Sequence, residues 1–214
     1  MAKVSISAAA QELARRDPVI AKLVDATGLP KFRVPLETHF AALVRSILYQ
    51  QLAGAAASAI HARLIGALNG SVTPEAVLKL DPKVLRSVGL SGNKAASITD
   101  LAHKVLDETV ILEPRRLARE SDEEVIERLS SVRGIGRWTA QMFLMFQLRR
   151  LDIWPTADLG VRRGFGLAWG IPMPSAKELE PLGDPFVPYR TIVAWYCWRA
   201  AELYAGAGES ALTR

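Results

Sequence analysis

Apolar residues recur every three or four positions along most of this chain, which is the spacing of one face of an α-helix. The clearest case lies within residues 38–52, where an apolar stripe runs from Phe40 to Leu48. Runs that alternate between apolar and polar positions, the pattern of a half-buried strand, are scarce. The chain is therefore predicted to be all-α, with about ten helices and no linker between independent domains. The other predicted helices cover residues 8–27 with an interruption near Asp17-Pro18, 55–68, short segments after Thr73-Pro74 and Asp81-Pro82, and about 91–107, 121–132, 137–148, 158–169 and 189–204.

Two local signals mark where helices begin. Ser121 is followed three residues later by Glu124, which is the pattern of a capping box. A turn at Gly89 leads into a segment that Ser91 or Asn93 can cap. These signals predict two helix–turn–helix units that each contain a glycine turn. The first unit, which contains Gly89, resembles the second only weakly.

The second unit contains a short basic turn at residues 133–137, read R-G-I-G-R. Gly134 and Gly136 can adopt backbone angles that other residues avoid, and they leave room for a close approach to the main chain. The helix that follows presents unpaired N–H groups in its first turn, and such groups suit a phosphate. Residues 137–148 are apolar nearly all round, so this helix is predicted to be buried.

Length and charge bound the class of protein. The chain has 214 residues, a net charge of +5 and a pI near 9.6. That length allows one domain, or two small lobes that share a cleft. The positive charge favours a polyanionic partner without identifying one. No apolar run reaches the ~20 residues of a membrane span, and residues 1–20 lack the apolar core of a signal peptide, so neither a membrane nor export is expected.

Cysteine usage excludes several kinds of site. Cys197 is the only cysteine, so the chain forms no intramolecular disulfide and is expected to work in a reducing cytoplasm. With one cysteine and three scattered histidines, no zinc site of ordinary spacing is expected.

Residues 129–158 resemble the helix-hairpin-helix and Gly/Pro-Asp signature of base-excision DNA glycosylases (HhH-GPD). The run GIGRWTA at residues 134–140 and the acid Asp158, which follows Pro155, are most similar to the alkylation-repair DNA-3-methyladenine glycosylase branch. The resemblance covers roughly residues 35–200. It implies two helical lobes that flank a cleft, within a single glycosylase unit at residues 1–214. Lobe A would span about 36–110. Lobe B would span about 1–35 and 111–214, and would contain the helix-hairpin-helix at 122–150.

Asp158 is the catalytic residue that this resemblance implies. Cleavage of an N-glycosidic bond builds positive charge on the deoxyribose, and a nearby carboxylate stabilises that charge and can orient or deprotonate a water. From spacing alone, Asp158 or Thr156 simply caps the next helix. The two interpretations are compatible, because a capping carboxylate is also held in place.

Trp138 stands where glycosylases that also nick the strand carry a lysine. Those enzymes need an amine to form a covalent intermediate with the sugar, and an indole cannot supply one. The resemblance therefore implies a monofunctional enzyme without abasic-site lyase activity. The alternative is that Trp138 is only a core tryptophan at the start of a helix.

The base pocket implied by the resemblance contains Trp138, Trp198, Met142 and Gln50. An indole face attracts cationic alkylated purines by stacking and cation–π interactions worth roughly 0.5 to 2 kcal/mol. Met142 replaces a tyrosine of some relatives, which leaves the range of substrates open. Aromatic residues of the last helix can instead be core packing.

Gln51 and Leu52 stand where the family inserts side chains into the duplex, at the gap that a flipped base leaves. The alternative is that residues 50–52 are the solvated end of a helix. No cofactor is required, but the family holds a structural Na⁺ or K⁺ at the hairpin through backbone carbonyls, which here would be those of Ser130, Val132 and Gly134.

DNA phosphates would be bound by Gly134, Gly136, Arg137 and Thr139, contacts that anchor a duplex without reading its sequence. Exposed arginines such as Arg137 are otherwise ordinary surface residues.

The expected function is therefore excision of alkylated bases such as 3-methyladenine and 7-methylguanine. The expected partner is double-stranded DNA that contains such bases, the expected state is a monomer without a membrane partner, and the expected location is the cytoplasm, with the nucleoid in a bacterium or the nucleus in a eukaryote. The alternatives are a glycosylase of this superfamily for another lesion class, and a non-catalytic DNA-binding protein that keeps the hairpin.

Overall fold

The computed structural model describes residues 4–205, and within them it has thirteen α-helices and no strand. The all-α prediction is confirmed. The helices are α1 Ile6–Arg16, α2 Pro18–Thr27, α3 His39–Tyr49, α4 Gly54–Ala67, α5 Pro74–Lys79, α6 Pro82–Ser87, α7 Gly92–Leu106, α8 Pro114–Leu117, α9 Asp122–Ser130, α10 Arg137–Met142, α11 Leu159–Trp169, α12 Ala176–Leu182 and α13 Arg190–Leu203, with a π-helical segment Phe143–Gln147 and a 3-10 helix Asp184–Phe186.

The structure has more helices than the ten that the pattern predicts. The additional ones are short, such as α8 with 4 residues and α12 with 7 residues. A helix of one or two turns cannot carry a periodic apolar stripe, so periodicity alone does not find it. None of the helices in residues 4–205 combines the length and apolar character needed to span a bilayer.

Side-chain caps begin the helices where the local signals predicted them. The Ser121 hydroxyl accepts the backbone N–H of Glu124, and the Glu124 carboxylate accepts the backbone N–H of Ser121, so the capping box is present. Ser91 caps α7 through the backbone N–H of Lys94. Asp17 divides the first predicted helix, because its carboxylate caps α2. These ends are set by residues within one turn, which is why the sequence predicts them.

The described chain divides into two compact units, one of residues 4–34 and 148–205 and one of Pro35–Gln147. This division differs from the expected lobes, because residues 111–147 belong to the same compact unit as residues 35–110. The cause is a set of contacts between α7 and the hairpin turn, among them the hydrogen bond from the backbone N–H of Arg133 to Asp100 at 2.8 Å.

The unit of residues 4–34 and 148–205 is built on the packing of α11 against α13. Gly164 allows the close approach, since a Cβ there would lie 1.7 Å from the carbonyl oxygen of Cys197. Tyr196 is fully buried on α13, and its hydroxyl donates to the carbonyl of Gly28 at 3.2 Å. Burial raises the pKa of Tyr196 to about 12. This tight helix pair is the frame on which the candidate catalytic acid is placed.

The Pro35–Gln147 unit is built around α3 and α7, which pack against each other. The apolar stripe of α3 is buried as predicted, with Leu43, Val44 and Leu48 fully enclosed. The α4 helix and the π-helical segment pack on α3, whereas α5 and α6 pack on α7.

The second hairpin helix departs from its prediction. It continues as an α-helix only to Met142 and then widens into the π-helical segment, in which Phe143, Leu144 and Met145 are buried. The prediction that it is buried all round is wrong at Trp138 and Phe146, which are 46% and 42% exposed. At Trp138 an apolar composition does not imply burial, because this residue lines a cavity between α10 and α3.

We expect Gly164→Ala to lower the free energy of unfolding by about 3 kcal/mol, because a Cβ would overlap the backbone of α13. Urea unfolding followed by circular dichroism measures the change. Gly66→Ala is the matched control, since it lies in the α4 helix with open space around it and should gain about 0.5 to 1 kcal/mol. Equal effects of the two substitutions would contradict the close α11–α13 contact.

Candidate active site

Asp158 lies at the end of the loop that follows Pro155 and caps α11. Its Oδ1 accepts the backbone N–H of Val161 at 2.8 Å and the indole Nε1–H of Trp198 at 2.9 Å. The carboxylate is half-buried. The predicted cap is confirmed, and the second donor adds a constraint from α13 that no local signal reveals.

Gly160 makes room for this hydrogen bond. A Cβ on Gly160 would lie 2.8 Å from Cδ1 of Trp198 and 3.1 Å from Oδ1 of Asp158. The glycine is therefore needed for space and not for an unusual backbone angle. Capping and periodicity signals do not single out this glycine. A usable signal was the pair of glycines four residues apart in α11, Gly160 and Gly164, which leaves one face of that helix without side chains.

Cys197 is next to Trp198 in sequence, and it does not supply a nucleophile. Its thiol is fully buried, and burial together with the negative charge of Asp158 raises its pKa far above neutrality. Since the thiolate is the reactive form, this thiol is inert in the folded protein. Within residues 4–205, no cluster of three His, Cys, Asp or Glu side chains could hold a metal ion.

The hairpin turn belongs to the Pro35–Gln147 unit, and its two glycines differ. Gly134 has φ +76°, and a Cβ there would lie 2.7 Å from Oγ of Ser97. Gly136 has φ −94°, an ordinary extended angle, and a Cβ there would meet no atom within 4 Å. Of the two glycines that can adopt an angle closed to other residues, only Gly134 does so. The open space beside Gly136 leaves room for an approach to the main chain, as predicted.

The start of α10 has no side-chain cap, because its N-cap residue is Gly136. The guanidinium of Arg137 forms two hydrogen bonds with the carboxylate of Glu123, at 2.5 and 2.7 Å. These bonds lower the pKa of Glu123. Both side chains are more than half exposed, so the pair is a surface ion pair that a competing anion can displace.

Gln50 links the end of α3 to the hairpin. Its side-chain amide donates to the carbonyl of Gly134 at 2.9 Å and to the hydroxyl of Thr139 at 3.3 Å. The carbonyl of Val132 also accepts a hydrogen bond, from the N–H of Ile135 at 3.0 Å. Two of the three carbonyls predicted to bind a cation thus already have one donor each. A carbonyl oxygen has two lone pairs, so these residues remain compatible with the predicted Na⁺ or K⁺.

Three of the four predicted pocket residues line one cavity of about 500 Å³ in the Pro35–Gln147 unit. They are Trp138, Met142 and Gln50. The fourth, Trp198, lies in the other unit, beside Asp158. The full lining is Arg45, Ser46, Tyr49, Gln50, Gln51, Trp138, Thr139 and Met142. A volume of this size is in the ordinary range for a small-molecule site.

The two predicted insertion residues lie in the turn between α3 and α4, and both are exposed. Gln51 has φ +55°, a left-handed angle that a non-glycine residue adopts only rarely. Leu52 keeps 38% of its surface exposed, although its side chain is apolar. A strained turn that presents an apolar side chain to solvent is an unusual surface feature, and backbone strain of this kind often accompanies function.

Residues 44–186 match a family model described as "HhH-GPD superfamily base excision DNA repair protein". The chain belongs to this superfamily. The match includes both the hairpin and Asp158, whereas Trp198 lies beyond its end. The hydrogen bond to Asp158 therefore connects the matched region with a residue outside it.

Named relatives support a closer grouping within the HhH-GPD superfamily. The chain is 35% identical to DNA-3-methyladenine glycosylase 1 of Schizosaccharomyces pombe over 75% of this chain and 72% of that protein. The solved 3-methyladenine DNA glycosylase of the same organism, in complex with abasic DNA, is similar with a TM-score of 0.78 and 32% identity, covering 91% of this chain and 96% of that one. A DNA-3-methyladenine glycosidase structure from Bacillus halodurans is similar with a TM-score of 0.83 and 31% identity, covering 92% and 90%.

We expect Gly160→Ala to displace the indole of Trp198 and weaken its hydrogen bond to Asp158, because the added Cβ would lie 2.8 Å from the ring. The measurement is the indole N–H region of a ¹H–¹⁵N NMR spectrum, which contains one signal for each of the 5 tryptophans. Trp198→Phe assigns the signal by removing it.

In Gly160→Ala, the Trp198 signal should shift and exchange faster with solvent, whereas Gly66→Ala should leave it in place. An unshifted signal in Gly160→Ala would contradict the arrangement of these three residues.

Proposed function

We propose that this protein is a monofunctional DNA glycosylase that removes alkylated bases, of the 3-methyladenine and 7-methylguanine type, in base excision repair. The observation that carries the proposal is the carboxylate of Asp158, which is fixed by two N–H donors and lies within the region that the HhH-GPD family model matches. The names of the relatives, which are DNA-3-methyladenine glycosylases, support this class of substrate.

The reaction needs a fixed negative charge. As the bond between C1′ and the base breaks, positive charge develops on the deoxyribose, and a preorganised carboxylate stabilises it. The electron pair of the broken bond leaves with the base. Water adds at C1′, and in this proposal Asp158 accepts its proton. An alkylated purine cation leaves as a neutral base, so no strong general acid is needed. In this scheme Asp158 supplies the negative charge, and no step calls for a second acidic side chain.

Trp138 and Met142 supply the apolar side of the proposed base pocket, and Gln50 and Thr139 supply its polar side. Trp138 is 46% exposed, so its ring has surface available for contact with a base. A cationic base gains more from an indole face than a neutral base does, by roughly 0.5 to 2 kcal/mol. We propose that the ring of Trp198 also contacts the cationic base, while its indole N–H donates to Asp158.

The proposed partner is duplex DNA, and the protein acts on it as a monomer. The target base must leave the stack before it can be cut, and Gln51 and Leu52 are the residues proposed to occupy the gap. The backbone N–H groups of Gly134, Gly136 and Thr139 contact phosphate at the hairpin, where the guanidinium of Arg137 joins them after releasing Glu123. A Na⁺ or K⁺ held by the carbonyls of Ser130, Val132 and Gly134 would add a further positive charge beside that phosphate.

The absence of lyase activity is proposed from the side chains near the hairpin. Position 138 holds an indole, which cannot form a Schiff base with the sugar. The two lysines of α7 are both engaged. Lys94 donates to the carbonyls of Leu48 and Gln50, and Lys104 donates to that of Ser131. An amine engaged in this way is a poor candidate to replace the lysine of a bifunctional enzyme.

The central experiment incubates methylated DNA with the protein and identifies the released bases by chromatography. We expect 3-methyladenine and 7-methylguanine to be released, and we expect Asp158→Asn to lower the single-turnover rate by about 10² to 10³-fold. Asparagine caps a helix as well as aspartate does, so the melting temperature should change little.

Binding to lesion-containing DNA should also persist in Asp158→Asn. Asp184→Asn is the matched control, since Asp184 is an exposed acid in the same unit. A folded Asp158→Asn variant with normal activity would overturn the assignment of the catalytic residue. Absence of any released alkylated base from the wild-type protein would overturn the function.

The monofunctional assignment predicts that the abasic product strand stays intact. An end-labelled duplex should show cleavage only after treatment with alkali, and borohydride should trap no covalent complex between protein and DNA, because no Schiff base forms. A known bifunctional glycosylase serves as the positive control for both assays. Strand cleavage without alkali, or a trapped complex, would contradict the assignment.

A further inference from the structure

One face of α7 contacts both turns that the proposed function places on DNA. This face carries Lys94, Ser97, Asp100 and Lys104, which follow one another at intervals of three, three and four residues. Such spacing places all four side chains along one side of a helix. The Pro35–Gln147 unit contains α3, the hairpin and α7, so the contacts described next lie within a single compact unit.

Three of these residues hold the hairpin turn. The small side chain of Ser97 is buried against Gly134, where it leaves no room for a Cβ. The carboxylate of Asp100 accepts the backbone N–H of Arg133 at 2.8 Å. Lys104 donates to the carbonyl of Ser131 and pairs with Asp100 at 3.1 Å. The burial of Asp100 opposes its ionisation, but the hydrogen bonds from Arg133 and Lys104 outweigh that effect and lower its pKa.

The fourth residue, Lys94, holds the other turn. Its ammonium donates to the carbonyl of Leu48 at 2.5 Å and to the carbonyl of Gln50 at 2.6 Å. These carbonyls lie at the C-terminal end of α3, where a positive charge is favourable. Partial burial lowers the pKa of Lys94. A lysine that served only to attract DNA would instead extend into solvent.

Gln50 closes the connection between the two turns. Its backbone carbonyl is held by Lys94, while its side-chain amide binds the carbonyl of Gly134 in the hairpin. The next residue, Gln51, takes the left-handed angle of φ +55° that directs the chain into the exposed turn. Gln50 thus joins three elements. Its backbone carbonyl connects the end of α3 to α7, and its side chain connects α3 to the hairpin.

We propose that Lys94 is a positioning residue for insertion into the duplex: it fixes the turn of Gln50, Gln51 and Leu52 relative to the hairpin, so that binding of phosphate at the hairpin places Leu52 at the base stack. This inference rests on the proposed function for the identity of the ligand. It assigns to Lys94 a role in extruding the base and none in bond cleavage or phosphate binding.

Lys94→Met tests the inference, since it removes the ammonium and keeps an unbranched side chain. Excision is compared on two duplexes, one with the lesion paired normally and one with the lesion opposite an abasic analogue. An unpaired base costs least to flip, so it makes the smallest demand on the inserted residue. We expect the single-turnover rate to fall by about tenfold or more on the paired lesion, because small displacements of positioning groups have effects of this order. On the unpaired lesion the rate should stay close to that of the wild type.

Two further measurements separate this role from others. Affinity for undamaged duplex at several salt concentrations shows whether Lys94 contacts phosphate, because losing one such contact would reduce the salt slope by about 1. We expect an unchanged slope. Fluorescence of 2-aminopurine beside an abasic analogue reports insertion, and its increase at saturating protein should be smaller in Lys94→Met than in the wild type.

Lys83→Met is the matched control, because it removes the same charge from an exposed position on α6. It should behave like the wild type in the two-duplex comparison and in the fluorescence assay. Lys94→Gln, which keeps a donor for one carbonyl, gives the same comparison if Lys94→Met does not fold.

Equal losses on the paired and unpaired lesions, or a reduced salt slope, would overturn the inference. The fluorescence measurement requires no base excision. It therefore still tests the inference if the wild-type protein releases no alkylated base and the proposed function fails.

Discussion

A single oxygen atom, Oδ1 of Asp158, accepts one hydrogen bond from its own helix and one from α13. The first is an ordinary helix cap, and the second requires two helices to approach closely enough for the indole of Trp198 to reach across. Gly164 permits that approach where α11 meets the backbone of α13, and Gly160 permits it beside the carboxylate. The packing of an apolar helix pair thereby determines where the negative charge is held. Catalysis by electrostatic preorganisation depends on placement of this kind, because a fixed charge need not reorganise during the reaction.

In the Pro35–Gln147 unit, polar contacts hold two turns, at residues 50–52 and 133–137, in a defined geometry. Exposed turns usually move, since they have few packing contacts. Here buried and half-buried polar groups of α7 replace that packing. Hydrogen bonds of charged groups are stronger than those between neutral groups, so a few of them are sufficient to order a turn. The apolar stripe of α3 therefore provides the core of this unit. The polar face of α7 fixes the positions of its two turns.

The sequence predicted those features that depend on neighbouring residues. The capping box at Ser121, the cap at Asp158 and the stripe of α3 are each decided within one or two helical turns, and the structure confirms them. Three of the predicted pocket residues line one cavity. Trp138 and Met142 lie one turn apart on α10, whereas Gln50 reaches the same cavity from the end of α3 through its hydrogen bonds to Gly134 and Thr139.

Features that depend on tertiary contact were not predictable in this way. The bond between Asp158 and Trp198 joins residues 40 positions apart, and it exists only once α11 has packed on α13. The grouping of residues 111–147 with the preceding helices depends on contacts from α7, which no local pattern encodes. The π-helical segment Phe143–Gln147 and the exposure of Trp138 likewise follow from what surrounds α10, not from its composition.

The ion pair between Arg137 and Glu123 affects how long this protein would stay on any one stretch of DNA. A phosphate that recruits Arg137 must displace a carboxylate that already occupies both arms of the guanidinium. Exposed pairs of this kind are worth only about 0 to 1 kcal/mol, so the displacement is easy, but it still reduces what the new contact gains. In the proposed complex with DNA, Glu123 would therefore compete with phosphate for Arg137 and shorten residence on intact duplex. A repair protein that must inspect many undamaged sites for each damaged one benefits from such a weak, quickly reversible hold.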